Sequence, residues 1–296
     1  MTKDEFDSLI RKNLVAATGD KCFGYMLAKK YDNYFSQEAF AAFVEEMKSD
    51  PYHRFFISYD AGKGSELKEQ TGRYGKTPPK MASVASSSRF CYLALRDGAD
   101  GLGGSGDVEF EHECRIRGID GTAPQLDAFI PGENIFVEVK CHEIFDAHRV
   151  VMKSKYWDLL FGVDNAFGLP YIPKVQDEKF EIGLETFNLS KSSTMFDIKQ
   201  FLCHLMGIAS QKETDTPAKL VYLFFKPKLD SADEQRAIDE VFCALQNEIH
   251  TIFNSPPIRT FVGKNNIQLR AVAEYAKIME KLDSHNTIVL FPTELL

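Results

Sequence analysis

Gln125-Leu126-Asp127-Ala128-Phe129-Ile130-Pro131-Gly132-Glu133-Asn134-Ile135-Phe136-Val137-Glu138-Val139-Lys140 reads as two strands joined by a four-residue turn. Side chains along a strand alternate between its faces. Leu126, Ala128 and Ile130 therefore share one face, and Asp127 and Phe129 the other. In the second strand Ile135, Val137 and Val139 oppose Phe136, Glu138 and Lys140. Pro131 to Asn134 suits a hairpin connection, and the simplest register sets Ile130 opposite Ile135, Phe129 opposite Phe136 and Asp127 opposite Glu138. A further strand over about 107–116 lies too close to the first for a crossover, so the three form an antiparallel meander.

That register places two carboxylates side by side, where like charges destabilise a sheet. A divalent cation relieves the repulsion, because Mg²⁺ accepts hard oxygen ligands and keeps waters in its remaining positions. Lys140 projects from the face of Glu138 and can orient, or help deprotonate, a water on that ion. Asp127, Glu138 and Lys140 around one metal make a hydrolytic centre for a phosphodiester. The plainer alternative is a salt bridge between Lys140 and one carboxylate. The tripeptide acid-x-Lys occurs five times in the chain, and only Glu138-Val139-Lys140 sits on a strand facing another acid.

Outward from the hairpin the chain reads as α/β. Phe6, Leu9, Ile10, Leu14 and Val15, and then Phe40, Phe43, Val44 and Met47, recur at helical spacing, so the first fifty residues are expected to be helical, with Ser36 as a cap. Pro51 ends that pattern, and the Gly-, Lys- and Pro-rich stretch 61–80 suits a loop. Ser86-Ser87-Ser88 caps a helix to about Arg96. The Gly98–Gly106 stretch follows no strand and precedes no Gly-Lys-Ser/Thr, which argues against a nucleotide loop. Further expectations are a helix over 150–161, irregular chain over 162–190, and a helix from a Ser192/Ser193/Thr194 cap to about Ile208. Leu220–Phe225 is a continuous apolar run, the mark of a strand buried on both sides. Helices near 231–252 and 266–282 and a strand near 287–291 complete the pattern.

The segment Gln125-Leu126-Asp127 … Val137-Glu138-Val139-Lys140 resembles the motif of the PD-(D/E)XK nuclease superfamily, the restriction-endonuclease-like fold, with Leu126 in the motif's proline position. That family's core runs helix, three-stranded meander, helix, strand, the order expected over 82–226. The flanking Ser86–Phe90 and Val137–Glu143 also look like an uncharacterised bacterial branch of that fold. The resemblance implies Asp127 and Glu138 as metal ligands, the Val139 carbonyl as a further ligand and Lys140 as the residue positioning water. It implies Mg²⁺ (with Mn²⁺ as a substitute), DNA as partner and deoxyribonuclease activity by metal-activated water. A restriction-endonuclease-like domain is then expected over 81–296, with extra C-terminal α/β elements. Residues 1–80 would be an N-terminal helical region and basic loop packed on it.

Members of such a family often add an acid before the meander. Glu109, Glu111 and Glu113 share one face of the first strand by alternation, and Glu113 is the preferred third ligand because a turn near Ile119–Gly121 brings it level with Asp127; a solvated acidic edge is the alternative. Gln200 and His204 resemble the Q-x-x-x-Y element of the exonuclease branch, with histidine in place of tyrosine, and would steady substrate or lysine; a partly buried polar pair is the plain alternative. His142 shares the face of Glu138 and Lys140 if the strand extends that far, and otherwise falls at the rim. Ser87, Ser88 and Arg89 at a helix start suit a phosphate, although capping explains the serines equally well.

The chain has 296 residues, 44% apolar, with a formal charge of −8, which argues against a surface that coats nucleic acid everywhere. A local basic stretch from Ala61 to Arg96 nevertheless carries seven basic residues, Lys76 and Lys80 among them, against Glu66 and Glu69. Its partner would be a phosphate backbone, and a solvated loop is the alternative. Six scattered cysteines form no C-x-x-C pair, and no apolar run reaches membrane length, so a cytoplasmic protein off the membrane is expected, with a homodimer as one arrangement. A rival of another class is a non-catalytic nucleic-acid-binding or assembly protein that keeps the nuclease fold.

Overall fold

The computed structural model describes residues 1–62, 66–72, 75–99, 102, 107–121, 123–162, 167–170, 178–211, 216–227, 229 and 231–272. Helix α1 (Lys3–Thr18) starts from a capping box in which Thr2 and Glu5 exchange hydrogen bonds. A hairpin of β1 (Phe23–Met26) and β2 (Lys30–Phe35) follows, then α2 (Gln37–Lys48), α3 (His53–Ala61) and a second small hairpin, β3 (Gln70–Gly72) and β4 (Gly75–Thr77). The centre of the chain supplies α4 (Ser87–Leu95), β5 (Glu109–Glu113), β6 (Gln125–Ile130) and β7 (Ile135–Lys140). After them come β8 (Val150–Lys153), α5 (Trp157–Phe161), β9 (Lys179–Ile182), α6 (Ile198–Gln211), β10 (Ala218–Phe224), α7 (Ala232–Phe253), α8 (Pro256–Lys264) and β11 (Ile267–Val272).

The described residues thus hold eight α-helices around a mixed five-stranded sheet ordered β11-β10-β7-β6-β5. The meander β5-β6-β7 is antiparallel, and β10 joins β7 in parallel, as does β11 with β10. Every residue of β10 from Leu220 to Phe224 is buried, as its unbroken apolar run requires. Ser86 caps α4 by accepting from the Arg89 amide, and Phe90 on that helix stacks on Phe225 at 4.0 Å just past β10. Gly207 lets α6 approach the end of β5: a Cβ there would meet the Cys114 carbonyl at 2.6 Å. One apolar core runs from Phe6 on α1 to Ile267 on β11. No described helix is long and apolar enough to cross a membrane.

Several elements differ from the sequence pattern. The first fifty residues include the β1-β2 hairpin, whose alternating aromatic residues Phe23, Tyr25, Tyr31 and Phe35 mask no helix but pair with each other. Residues 150–161 begin as strand β8 and turn helical only from Ser154, in a single turn that leads into α5, because β8 finds a partner in β9, within the stretch expected to be irregular. Helix α6 starts at Ile198, six residues after Ser192. Asp197 supplies the cap, accepting from the Gln200 amide, while Thr194 is engaged by His148 in a β-bridge. Past residue 255 the helix is α8, and 267–272 form strand β11, where a helix over 266–282 was expected. The strand expected near 287–291 and most of the glycine stretch 98–106 lie outside the described residues.

Candidate active site

Register does most of the work of building the site. Across β6 and β7, Ile130 pairs with Ile135, Phe129 with Phe136 and Ala128 with Val137; one step further Asp127 stands opposite Glu138, as the sequence predicts. Across β5 and β6, Phe110 pairs with Ala128 and His112 with Leu126, so Glu111 stands opposite Asp127. Three carboxylates on adjacent strands therefore fall in one row. All three line a cavity of about 400 Å³, together with Lys140, Gln200, Ser86, Ser87 and Ser88 at the start of α4, and Glu66 and Lys80.

At this row the β6-β7 ladder gives way to side-chain bonding: the Val139 amide donates to Asp127 Oδ2 at 2.7 Å. Residues 134 and 140 turn their carbonyls to the β10 side, accepting from Lys219 and Phe225. Strand geometry therefore turns the Val139 carbonyl to the opposite edge, the edge its amide shares with Asp127. Lys140 Nζ lies 2.6 Å from Glu138 Oε1 and 2.7 Å from Gln200 Oε1, and Gln200 Nε2 donates to the same Glu138 oxygen at 2.9 Å. Acid, lysine and amide close a three-cornered network, with Gln200 fixed by the Asp197 cap of α6.

Burial governs the electrostatics. It raises the Asp127 carboxyl well above the ordinary range, and the neighbouring Glu138 charge adds to the rise. Glu111 is pushed up to about 7 by burial and then by the charge of Glu66. For Lys140, burial opposes the charge, but Glu138, Glu143 and Asp127 outweigh it and hold the ammonium above its ordinary value. Lys140 is therefore a cationic donor at neutral pH. Burial depresses His204, whose Nε2 faces the Gln125 carbonyl at 3.1 Å and whose Nδ1 faces the Tyr222 hydroxyl at 3.0 Å. A neutral ring donating from Nε2 and accepting at Nδ1 satisfies both contacts, so His204 is a packing residue, and its 3.8 Å approach to Glu138 is no ion pair.

Other residues singled out by sequence fall in different places. Glu113 sits across from Gln125 with its carboxylate 3.3 Å from Arg115, outside the cavity; the acid that β5 contributes is Glu111. The reason is register: the β5 residue level with Asp127 is Glu111, while Glu113 is level with Gln125. Arg89 does not reach solvent to meet a phosphate. It is completely buried, donates to the carbonyls of Met81 (2.7 Å) and Val84 (3.2 Å), and lies over the Phe35 ring at 4.3 Å. Burial alone brings its pKa down to about 9. Ser88 does line the cavity, with its carbonyl accepting from the Tyr59 hydroxyl. Lys80 lines it too, bonded to Glu66 at 3.0 Å, whereas Lys76 is an exposed hairpin residue paired with Glu69. Lys63 and Arg73 of the basic stretch lie outside the described residues. Glu66 had no sequence signal beyond a charge in a polar loop, yet it is buried and its Oε2 has no hydrogen-bond partner.

Among the described residues no three His, Cys, Asp or Glu side chains are drawn together as a ready metal cage. The donor set still fits a magnesium-like ion, which needs one or two carboxylates and keeps its waters. Asp127 and Glu138 face each other across the strands, the Val139 carbonyl points to their shared edge, and five carboxylates, those of Glu66, Glu111, Asp127, Glu138 and Glu143, line the cavity against the ammonium groups of Lys80 and Lys140. Compared with family models, curated proteins and solved structures, the chain matches none.

Proposed function

We propose that this chain is a metal-dependent phosphodiester hydrolase. Within that class the particular reading is a DNA nuclease of the restriction-endonuclease-like fold. The order α4, β5-β6-β7, α6 and parallel β10 supports the fold assignment. One observation carries the activity: Glu111, Asp127 and Glu138 aligned on three adjacent strands, with Lys140 held beside them by Gln200.

A divalent cation held by Asp127, Glu138 and the Val139 carbonyl would supply Lewis-acid neutralisation of charge building on the phosphoryl oxygens. The chain's own groups do the rest. Lys140, cationic and fixed by two acceptors, donates a hydrogen bond to the attacking water and orients it in line with the scissile bond. Gln200 keeps the ammonium from swinging onto Asp127. The start of α4, at Ser87 and Ser88 in the cavity wall, offers a phosphate the positive end of a helix. Lys80 at the cavity wall adds a cation for the neighbouring phosphate of a strand.

The test is cleavage of supercoiled, linear and single-stranded DNA and of RNA, with Mg²⁺ and with Mn²⁺. Asp127→Ala and Lys140→Ala should each lower metal-dependent DNA cleavage at least about 100-fold while the far-ultraviolet dichroism stays native. Retained cleavage in both folded variants would overturn the reading. A non-catalytic nucleic-acid-binding protein is the second reading, favoured by the Lys140–Gln200 lock on Glu138 Oε1. It predicts DNA binding without cutting and no heat of Mg²⁺ binding.

A further inference from the structure

One pair of ionisable groups at the cavity takes no part in the scheme above. His142, two residues past Lys140, lines the same cavity, and its Nδ1 lies 2.8 and 3.0 Å from the two carboxylate oxygens of Asp7 on α1. The two side chains are only 21% and 11% exposed, so the contact is no casual surface pair. Helix α1 is held over the 142–145 turn by Phe6, whose ring meets Phe145 at 4.9 Å. With Nδ1 donating to Asp7, the ring is fixed in one orientation and its second nitrogen makes no hydrogen bond among the described residues. A carboxylate on one imidazole nitrogen orients the ring, and the imidazolium form then presents Nε2–H to a neighbour.

Phosphodiester hydrolysis needs such a group. The leaving nucleoside oxygen departs as an alkoxide unless it is protonated, and Lys140 is committed to the attacking water. We infer that His142, held by Asp7, is the general acid that protonates the leaving oxygen. The assignment rests on the phosphodiester-hydrolase reading and names the missing half of its proton traffic. As the water oxygen bonds to phosphorus, the phosphorus–oxygen bond to the leaving nucleoside breaks and that oxygen takes the Nε2 proton. The proton lost by water passes to solvent, from which His142 is reprotonated. Asp7 from α1 is bonded to the ring, and the charged and titratable groups sharing its side of the cavity lining are Tyr34 from β2, Lys140 and Glu143. Glu143 is engaged by the Cys141 amide at 2.7 Å.

The experiment compares an ordinary DNA duplex with one carrying sulfur at the bridging leaving position, since a thiolate departs without a proton. Protein is assayed with Mn²⁺ in both cases. His142→Ala should lower the rate on ordinary DNA about 100-fold and leave the sulfur-bridged duplex within about threefold of the unmodified protein. Asp7→Ala, which frees the ring from its acceptor, should lower the rate on ordinary DNA and leave the sulfur-bridged duplex within about threefold of the unmodified protein. His142→Gln serves if the alanine variant fails to fold. Equal losses on both duplexes, or no loss on ordinary DNA, would overturn the general-acid role alone. An unmodified protein that cuts neither duplex would sink it together with the hydrolase reading.

Discussion

Glu111 shows how much a single residue can hide from a sequence pattern. Alternation placed Glu109, Glu111 and Glu113 on one face and a turn near Ile119–Gly121 favoured Glu113, yet the register brings Glu111 level with Asp127, at a φ of 57°, and only Glu111 lines the cavity. A non-glycine residue in that region costs about 1–2 kcal/mol, and such strain concentrates at functional sites. Asp127, Glu138 and Lys140, by contrast, lie on regular strands and were legible from spacing alone. The raised pKa of Glu111, about 7, carries a stability consequence with a definite sign. A carboxyl whose folded pKa lies above its unfolded value near 4.5 favours the folded state only while protonated. That advantage is complete below about pH 4.5 and is lost as pH rises through 7. Glu111→Gln, neutral throughout, should therefore be more stable than the unmodified protein in chelator at pH 8, by about 2 kcal/mol. The difference should vanish in urea melts at pH 4.5 and below, and an equal difference at both pH values would refute the burial argument.

At the scale of elements, strands with an uninterrupted pattern were readable and those defined by their partners were not. β6, β7 and β10 were visible because hydrophobic period and turn chemistry agree with the final sheet. β8 is four residues long and runs directly into a helical turn and α5, so its sequence blends two elements; only pairing with β9 makes it a strand. α6 was recognised, but its start was not. Ser192, Ser193 and Thr194 have the right chemistry for a cap, while the Phe196–Ile198 region follows Glu248 of α7, whose buried carboxylate accepts from the amides of Met195 and Phe196 at 2.8 and 2.9 Å. That long-range contact postpones the helix to the Asp197 cap and so places Gln200 in the first turn, facing Lys140. Asp197→Ala should lower stability by about 1 kcal/mol, the usual cost of losing a cap. Asp197→Asn, which keeps a side-chain acceptor, should lose much less, as read from urea midpoints at constant slope.

Across the whole molecule, the cavity is assembled from parts distant in sequence: β2, the segment from Glu66 to Ser88, the meander and the turn after it, and α6. Charges that look solvated in the sequence become neighbours only when these parts meet, which is why Glu66 and the Asp7–His142 pair left no local signal. The consequence is a molecule of net charge −8 that concentrates part of its negative charge in one partly desolvated pocket. Without a cation, the three carboxylates crowd one another, and burial raises Glu111 and Asp127, which weakens the fold at neutral pH. An ion that binds the folded pocket and not the unfolded chain must then stabilise by mass action, by about 2.7 kcal/mol at 100 times its dissociation constant. Thermal unfolding at pH 7.5 should show a higher midpoint in Mg²⁺ than in chelator, rising with the logarithm of its concentration. Asp127→Asn should behave oppositely on both counts. It should melt higher than the unmodified protein in chelator, because one buried charge is gone, and should lose most of the Mg²⁺ response. Equal Mg²⁺ responses in the two proteins would place the ion elsewhere on the surface and leave the row of acids without a metal.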